Sequence, residues 1–238
     1  MDNPTRPPKG RPDERKKTTS MKFAEFLRKY RIPILVVFGL AILAVLGVAI
    51  GTWIQGESLK TSTARLEKLE SDYSAYSSET DAAKKADLEK SLLASADDLV
   101  KKYPRIFAAH KALAYKAKIE ASKKDWAASE KDWLSIVAAT PDSYLAPIAL
   151  QGAAQAAEEL GANDRAVADY KKLIDSYSKK SVGIPHAYFA LGRLDEEAKD
   201  YAAALAAYQK IVSTWPDDDW TKLANDRIIF LKSSGLTK

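Results

Sequence analysis

Large and small residues recur along the C-terminal half of this chain at nearly constant intervals. Large aromatic residues stand 37 and then 38 positions apart, at Trp133, Tyr170 and Tyr208. Small residues keep the same two intervals, at Ala117, Ala154 and Gly192. Prolines follow in the same phase at Pro104, Pro141 and Pro216, with Ser178 where a further proline is expected. Because unrelated residue types keep one phase, the chain is predicted to repeat a single structural unit.

Helix packing gives a physical reason for this spacing. Two antiparallel helices approach closely only where the facing side chains are small, and each large aromatic side chain then fills the space toward the next pair. Ala, Gly or Ser occupies the predicted contact positions 117, 129, 154, 166, 192 and 204. One pair cannot bury its apolar face alone, so at least three pairs must stack. The pattern therefore predicts an all-α solenoid.

Punctuating Pro, Gly and Asn residues divide this region into helices. The predicted pairs are 105–122 with 125–139, 144–160 with 163–177, and 184–198 with 201–214. A last helix, from Asp219 to Ser233, is predicted to cap the stack with a polar outer face. Its predicted buried stripe consists of Trp220, Leu223, Ala224, Ile228 and Leu231. The run of three aspartates at 217–219 fits an N-cap better than a calcium site, because further oxygen ligands at calcium-loop spacing do not follow.

The last pair resembles the tetratricopeptide repeat in particular. Tyr188-x2-Leu191-Gly192, Ala204, Tyr208 and Pro216 stand at the spacing of that family's pattern. The resemblance covers about residues 105–216, although the pattern's second tyrosine is replaced by Glu120, Ala157 and Asp195. Residues 60–104 match only in their second helix. They are either a degenerate first repeat or a helical hairpin that caps the stack.

The resemblance implies a groove that binds proteins, lined by the first helix of each pair. Carried onto this sequence, the concave face consists of Lys111, Ala114, Lys118, Ile148, Gln151, Gln155, Glu158, His186, Phe189, Arg193, Glu196 and Glu197. These side chains are mixed in charge and partly apolar, which suits an extended or helical peptide. The alternative interpretation is an ordinary solvated surface. None of them is asparagine, so the family's clamp for a terminal carboxylate is not expected.

An uncharged segment of 23 residues, 32–54, precedes the repeats. As a helix it would measure about 34 Å, against a hydrocarbon core of about 30 Å. Tyr30 and Trp53 flank it, where interfacial aromatic residues are common. These features predict a single transmembrane helix. A cleavable signal peptide is the alternative, with Gly47-x-Ala49 as the cleavage site.

The charge distribution predicts an orientation. Residues 1–31 contain ten Lys or Arg and four acidic residues, whereas residues 55–238 contain 27 and 28. The positive-inside rule then puts a basic tail, 1–31, in the cytoplasm and the repeats outside. Because the main domain is nearly neutral, nucleic acid is not expected as a main partner. The tail and the 32–54 segment are expected to contact lipid, and Pro33 to interrupt a short interfacial helix that carries Phe23, Phe26, Leu27 and Tyr30.

Two further apolar patterns flank the repeats. Gly47-x3-Gly51 predicts at most a weak homodimer through the membrane helix. After the span, a stripe is expected to pack on the following helix, with a short coiled coil as the alternative. The stripe is Leu59, Leu66, Leu69, Tyr73 and Tyr76, and its predicted partners are Leu88, Leu92, Leu93 and Leu99.

Enzyme signatures are missing from the sequence. It contains no cysteine and two histidines, His110 and His186, which are expected to be packing or surface residues. Phosphate-binding glycine loops and G-x-S-x-G are also missing. No catalytic residue, metal site or cofactor is predicted. Glu158, Glu159, Glu196 and Glu197 are interpreted as solvated or groove-lining charges.

The order of segments narrows the resemblance. It runs 1–31 basic tail, 32–54 span, 55–104 hairpin, 105–218 three repeats, and 219–238 capping helix. This layout resembles the bitopic bacterial inner-membrane tetratricopeptide proteins that accompany the Sec translocon and periplasmic chaperones. It implies a non-enzymatic periplasmic scaffold that meets translocon subunits, chaperones or unfolded polypeptides. The alternatives are an envelope-assembly or cell-division adaptor, and a membrane-bound regulator whose tail acts on lipid or nucleic acid.

Overall fold

A computed structural model of the chain describes residues 19–179 and 181–237. These residues form nine α-helices and no strand, which confirms the predicted all-α class. The helices are α1 (Thr19–Ser78), α2 (Ala82–Lys102), α3 (Phe107–Ser122), α4 (Trp126–Ala139), α5 (Leu145–Glu159), α6 (Asn163–Tyr177), α7 (Ile184–Glu197), α8 (Tyr201–Thr214) and α9 (Asp219–Ser233). The structure divides into one unit up to Glu57 and a second from Ser58 onward.

The first unit is the N-terminal part of α1. The helix from Phe23 onward contains an apolar stretch long enough to cross a membrane, none of which is buried within the structure. Tyr30 interrupts the helix with φ −107° and ψ 16°. Pro33 explains this interruption, because proline lacks the N–H that would bond to the carbonyl one turn earlier and its ring clashes there. The interruption expected at Pro33 is therefore confirmed, while residues 1–18 of the basic tail lie outside the described residues.

The second unit stacks the predicted helix pairs. Every helix from α3 to α9 begins and ends within two residues of its predicted bounds. Asp125 and Asp200 begin α4 and α8 by accepting hydrogen bonds from the N–H groups of Ala128 and Ala203. Asp218 caps α9 in the same way, which confirms the N-cap interpretation of the acidic run.

The turn between the two helices of each pair has the same backbone conformation in all three pairs. Lys124, Gly161 and Lys199 stand 37 and 38 residues apart, and all three adopt the left-handed conformation with φ between 62° and 68°. Only glycine adopts this conformation without a steric penalty, so the two lysines make their turns at some cost in stability. The turn geometry is therefore fixed by the stacking of the pairs and not by local residue preference.

Contacts between large and small residues hold the helices together, both within a pair and between successive pairs. An added Cβ at Gly192 would lie 2.6 Å from Cε1 of Tyr208, so the aromatic ring rests directly on the glycine. Gly152 contacts the ring of Trp133 in the same way, with an added Cβ 2.6 Å from Cε2. The six predicted contact positions are all buried, at 117, 129, 154, 166, 192 and 204. Gly152 was not among them, because it touches the aromatic residue of the preceding pair.

The predicted packing of the first hairpin is confirmed. Leu66, Leu69 and Tyr76 of α1 share one buried cluster with Leu92 and Leu99 of α2. The prediction for one member of the stripe is wrong, since Leu59 is 54% exposed. At the other end the stripe reaches beyond the hairpin, because the rings of Tyr73 and Tyr115 lie 4.7 Å apart and join α1 to α3.

The last helix packs on α7 and α8, but its outer face differs from the prediction. Leu223, predicted to be buried, is 46% exposed, and Ile229 and Phe230 are 64% and 46% exposed. The buried side of α9 consists of Thr221, Ala224 and Leu231. The expectation of a polar outer face is therefore wrong, because three large apolar side chains of α9 remain exposed among the described residues.

A largely buried pair of carboxylates, Glu120 and Asp132, lies between α3 and α4. Burial, and then the negative charge of Asp132, raise the pKa of Glu120 to about 7. The Lys116 ammonium lies 3.9 Å from the Glu120 carboxylate and 3.5 Å from that of Asp132. One carboxylate oxygen of each acid has no hydrogen bond. The same ammonium lies 2.9 Å from Asp97, so one lysine is shared among three acids and Glu120 is poorly compensated when it is charged.

Gly192→Ala should destabilise the repeat unit by about 1–3 kcal/mol, because the new methyl group overlaps the Tyr208 ring. The free energy of unfolding in urea measures this cost. The control is the same change in a Tyr208→Leu background, where the ring is gone and the penalty should shrink markedly. An equal penalty in both backgrounds would show that the ring contact is not its cause.

Glu120→Gln should stabilise the fold at alkaline pH. The folded pKa lies above the unfolded one, so the native protein becomes less stable as pH rises from about 4.5 to about 7, and the loss persists above that. The variant should gain about 1–3 kcal/mol at about pH 8 and almost nothing at about pH 5. Unfolding free energies at both pH values test this, with the exposed acid variant Glu67→Gln as control. A gain that is equal at both pH values contradicts the mechanism.

Candidate functional site

A groove runs across the first helices of the three pairs, and it is made of three adjoining depressions. The depression between α3 and α5 has a volume of about 270 Å³ and is lined by Lys111, Lys118, Tyr144 and Ile148, among others. The middle depression, of about 310 Å³, contains Trp126, Gln151 and Gln155. The depression between α5 and α7, of about 320 Å³, contains Gln155, Glu158, His186 and Arg193.

Shared residues make these depressions continuous. Lys118, Trp133 and Ile148 line both the first and the middle one. Trp126 and Gln155 line both the middle one and the third. We refer to the three together as the groove. Its floor comes from consecutive first helices because the second helices pack behind them, as the stacking of pairs requires.

Most residues of the predicted binding face lie in the groove. These are Lys111, Ala114, Lys118, Ile148, Gln151, Gln155, Glu158, His186 and Arg193. Ala114 is only 8% exposed and contributes to its wall more than to its open surface. Lys118, Ile148, Gln155 and Arg193 are the exposed members of the set, and Arg193 is paired with Glu158. Whether any of them binds a partner remains a prediction.

Three residues of the predicted face line none of the three depressions. The Phe189 ring packs 5.4 Å from Tyr208 and 5.1 Å from Trp220, so it joins α7 to α8 and α9. Glu196 is held by hydrogen bonds within the fold, described below. Glu197 is exposed, lies 3.4 Å from Arg193 and accepts a hydrogen bond from Asn163.

A tyrosine, a glutamate and an arginine form the same link at two successive places. Tyr170 donates a 2.7 Å hydrogen bond to Glu158, which also pairs with Arg193 of the next first helix. The second link, one repeat further on, has the same 2.7 Å tyrosine bond and consists of Tyr208, Glu196 and Arg227. Each carboxylate is therefore bound to its own pair and to the next one.

Electrostatics supports a structural role for these carboxylates. Burial and the adjoining glutamate raise the pKa of both tyrosines, so the phenols remain protonated donors. Burial opposes the ionisation of Glu196, but the Arg227 and Tyr208 hydrogen bonds prevail and lower its pKa. The sequence could not distinguish these satisfied charges from open ones, because their partners lie 31 to 35 residues away.

The open part of the groove combines apolar surface, amides and one free-standing cation. Ile148 is 51% exposed and Trp126 is half-buried. The Lys118 ammonium lies 5.5 Å above the Tyr115 ring and its side chain is exposed. The Gln155 amide both donates and accepts hydrogen bonds, as the backbone of an extended peptide requires. This surface fits a peptide segment that carries apolar and acidic side chains.

Two aromatic residues at the edge of the groove, Trp126 and Tyr144, were not predicted from the sequence. Trp126 stands at the first position of α4, and Tyr144 immediately precedes α5. The Tyr144 ring is 62% exposed and lies 5.4 Å from Phe107, which is 40% exposed. Trp126 and Tyr144 lie outside the repeating small–large pattern, so the repeat spacing did not indicate their place at the groove.

The histidines pack within the fold, as expected. The His186 ring lies edge-on to Tyr170 at 6.0 Å and to Trp220 at 4.6 Å, and burial lowers its pKa. His110 is 6% exposed, and burial lowers its pKa as well. Among the described residues, no three His or acidic side chains form a group suited to a metal ion.

The comparisons with known proteins agree with this architecture. The family model described as tetratricopeptide repeat matches residues 149–179 and 186–218. The chain is 27% identical over 114 residues to a TPR repeat-containing protein of Treponema pallidum (strain Nichols), covering 48% of this chain and 47% of that protein. It is similar in fold to the crystal structure of a tetratricopeptide repeat protein from Parabacteroides merdae ATCC 43184. That similarity has a TM-score of 0.55 and 16% identity, over 72% of this chain and 61% of the other.

Stacked helix pairs with a groove across their first helices define the class of protein as an α-solenoid. The match to the tetratricopeptide repeat model agrees with the sequence resemblance. The family model matches the last two pairs, α5–α6 and α7–α8. The chain spans about half the length of the Treponema relative and less than two thirds of the Parabacteroides chain.

Arg227→Met should reduce stability by about 1–2 kcal/mol at neutral pH, because the Glu196 carboxylate stays largely buried without its partner. The depressed pKa of Glu196 means that the pair stabilises the fold above the unfolded pKa and stops doing so as pH falls. The loss should therefore shrink below about pH 4. Lys222→Met is the matched control on the same helix, because its ion pair is exposed. Equal losses for the two variants would contradict the proposed link.

Proposed function

We propose that this chain is a membrane-anchored scaffold that binds other polypeptides in the groove. Tetratricopeptide proteins generally mediate protein–protein interactions, and this chain presents a continuous groove across α3, α5 and α7. The groove is the observation that carries the proposal. In this proposal residues 32–54 form the anchor, 55–104 a hairpin, 105–218 the repeats and 219–238 the cap.

The groove's chemistry defines the kind of segment that it would bind. Lys118 offers a positive charge beside the apolar surface of Trp126 and Ile148. Gln155 lies at the junction of two depressions, where an extended main chain would pass from α5 toward α7. Glu158 and Arg193 already neutralise each other, so they contribute little net charge. An extended segment with large apolar side chains and an acidic side chain therefore fits best.

The location and partners follow from the charge distribution and the apolar helix. The candidate span and the basic residues before it support an anchor in the bacterial inner membrane with the repeats on the periplasmic side. The partners would then be translocon subunits, chaperones or polypeptides emerging from the membrane. Copurification in mild detergent separates this from an envelope-assembly or cell-division adaptor, since the two proposals name different partner proteins.

Lys118→Glu should weaken binding of the copurified partner by roughly tenfold, because it reverses the charge at the open part of the groove. Lys131→Glu is the matched control, since Lys131 is an equally exposed lysine on the second helix α4. Titration of the purified full chain with the labelled partner measures both affinities. Equal weakening by the two variants would place the partner outside the groove.

A photo-crosslinking residue at position 155 should label the same partner several-fold more strongly than one at position 172. Gln155 opens into the groove, whereas Lys172 is exposed on the second helix α6. Labelling in intact membranes and identification by mass spectrometry give the readout. Equal labelling from both positions would contradict the groove as the binding site.

Fusion of alkaline phosphatase after residue 238 should give an active enzyme if the repeats face the periplasm. The phosphatase requires disulfides that form there and not in the cytoplasm. Fusion after residue 31 should be inactive, because the basic tail stays in the cytoplasm. Activity only in the second fusion would reverse the proposed orientation.

A further inference from the structure

The link between neighbouring pairs is replaced as a whole at the junction between α3–α4 and α5. Both links described above join a tyrosine, a glutamate and an arginine on the next first helix, as in Tyr170, Glu158 and Arg193. The repeat intervals of 37 and 38 residues give the equivalent positions one pair earlier, which are Trp133, Ala121 and Gln155. The turns agree with this register, because Glu158 and Ala121 each stand three residues before a left-handed residue. An indole, a methyl group and an amide therefore stand where the later junctions have a phenol, a carboxylate and a guanidinium.

The middle depression of the groove lies at this altered junction. Trp133, Ala121 and Gln155 all line it, and its volume is about 310 Å³. The side chain of Ala121 ends at Cβ, so it cannot fill the space that the Glu158 carboxylate occupies one pair later, between its tyrosine and its arginine. The depression is therefore open at the place where the later pairs hold a carboxylate of their own.

Hydrogen-bond donors remain around this space. Trp133 is 6% exposed, and no described residue accepts a hydrogen bond from its indole N–H. An added Cβ at Gly152 would lie 2.7 Å from Trp133 Nε1, and Gly152 also lines the depression, so the N–H edge of the ring borders it. The exposed Gln155 amide supplies N–H donors in place of the Arg193 guanidinium, and its oxygen stays available to the main chain of a bound segment. A buried N–H without an acceptor costs free energy, which a bound acceptor would recover.

The charge of the depression favours an anionic acceptor. Lys118 is the one charged side chain among the described residues that line it, and it is exposed. Lys118 stands 37 residues before Gln155, so it occupies the arginine position of its own helix. A carboxylate in the depression would be bound by a cation and by neutral donors, as Glu158 is bound by Arg193 and Tyr170.

We propose that the middle depression is a subsite for the carboxylate of an acidic side chain within a bound polypeptide segment. The Trp133 indole and the Gln155 amide donate hydrogen bonds to that carboxylate, and the Lys118 ammonium pairs with it. The ligand thus supplies the group that Glu158 and Glu196 supply at the later junctions. A side-chain carboxylate, and not a chain terminus, is assigned because both internal links hold one. The inference rests on the proposed function, since it names the acidic group that the groove binds.

Nuclear magnetic resonance of the purified full chain in detergent tests the subsite directly, because an indole N–H has its own signal. The probe is a capped pentapeptide, Leu-Thr-Glu-Thr-Leu, whose single carboxylate is the glutamate side chain, and the matched peptide has glutamine there. The glutamate peptide should shift the Trp133 N–H signal downfield and bind roughly tenfold more tightly than the glutamine peptide. The Trp215 signal is the internal reference, because Trp215 lines none of the three depressions. An unmoved Trp133 signal, or equal affinity for the two peptides, would overturn the inference.

A glutamine peptide with a free C-terminal carboxylate separates the two sources of this group. It should bind no more tightly than the capped glutamine peptide. Binding equal to that of the glutamate peptide would show that the depression takes a chain terminus, and would contradict the assignment.

The variant Trp133→Phe isolates the indole donor. It keeps an aromatic ring beside Gly152 but has no N–H, so the preference for the glutamate peptide over the glutamine peptide should fall several-fold. The signal that it removes also identifies the Trp133 resonance. Trp215→Phe is the control and should leave the preference unchanged. An equal fall in the two variants would show that the Trp133 N–H is not the donor.

Two further variants with opposite expected effects test the register. Gln155→Arg, at an exposed position, adds a guanidinium without an internal carboxylate, so it should strengthen binding of the glutamate peptide several-fold. Adding Ala121→Glu rebuilds the link of the later junctions and returns the net charge to that of the parent protein. The double variant should bind the glutamate peptide roughly tenfold more weakly than the parent does. A double variant that folds, by circular dichroism, and binds like the parent would mean that net charge alone decides the affinity, against the subsite.

Failure of this inference can be told apart from failure of the proposed function. Photo-crosslinking of the partner at position 155 tests whether the groove binds it, and the paired peptides test what the middle depression selects. A crosslinked partner together with equal peptide affinities would refute the subsite and leave the scaffold proposal intact. A preference for the glutamate peptide without a crosslinked partner would support the subsite and count against the groove as the partner's site.

Discussion

The contact between one aromatic ring and one small residue fixes the geometry of this solenoid. The Tyr208 ring lies so close to Gly192 that no side chain would fit between them, and Trp133 lies equally close to Gly152. Close approach sets the distance between the helices of a pair and between successive pairs. Dispersion energy falls steeply when two contacting groups separate. A small displacement of a ring from its glycine would therefore weaken the packing of neighbouring pairs. The groove exists because these contacts hold the first helices side by side.

The same aromatic residues also connect one pair to the next. Tyr170 packs in the core with its ring and donates a hydrogen bond to Glu158 with its hydroxyl, and Glu158 in turn binds Arg193. A second link of this kind follows through Tyr208 and Arg227. Buried carboxylates are stable only when they are paired and hydrogen-bonded, and each link meets that condition. The charged residues therefore differ in what they can contribute to binding. Those that belong to a link are already paired, whereas Lys118 is available to a partner.

Local sequence signals predicted the helices and the small contact positions. Which side chains line the groove depends on long-range packing between pairs, which those signals do not contain. The helix bounds followed from proline, glycine and aspartate near each end, which act within one turn. Phe189 and Glu196 looked like groove residues because their position along α7 is right. Their actual partners, on α8 and α9, are set by how neighbouring pairs rotate against each other, which the spacing does not encode. Trp126 and Tyr144 were missed for the opposite reason, since they lie outside the repeating pattern and yet border the groove.

Helix α9 carries large apolar side chains that remain exposed in the part of the chain that the structure describes. Each pair in a solenoid covers the apolar surface of its neighbour, whereas Leu223 and Phe230 of α9 have no such cover among the described residues. Helix α9 has Arg227 where α7 has Arg193, and Arg227 binds the preceding repeat through Glu196. At the position that Glu196 occupies in α7, however, α9 has Phe230. That replacement removes the acceptor that a tyrosine of a following helix would need, and puts an apolar ring there. The exposed surface at Leu223 and Phe230 is thus suited to a neighbour that brings apolar contacts, and less suited to a further copy of the internal second helix.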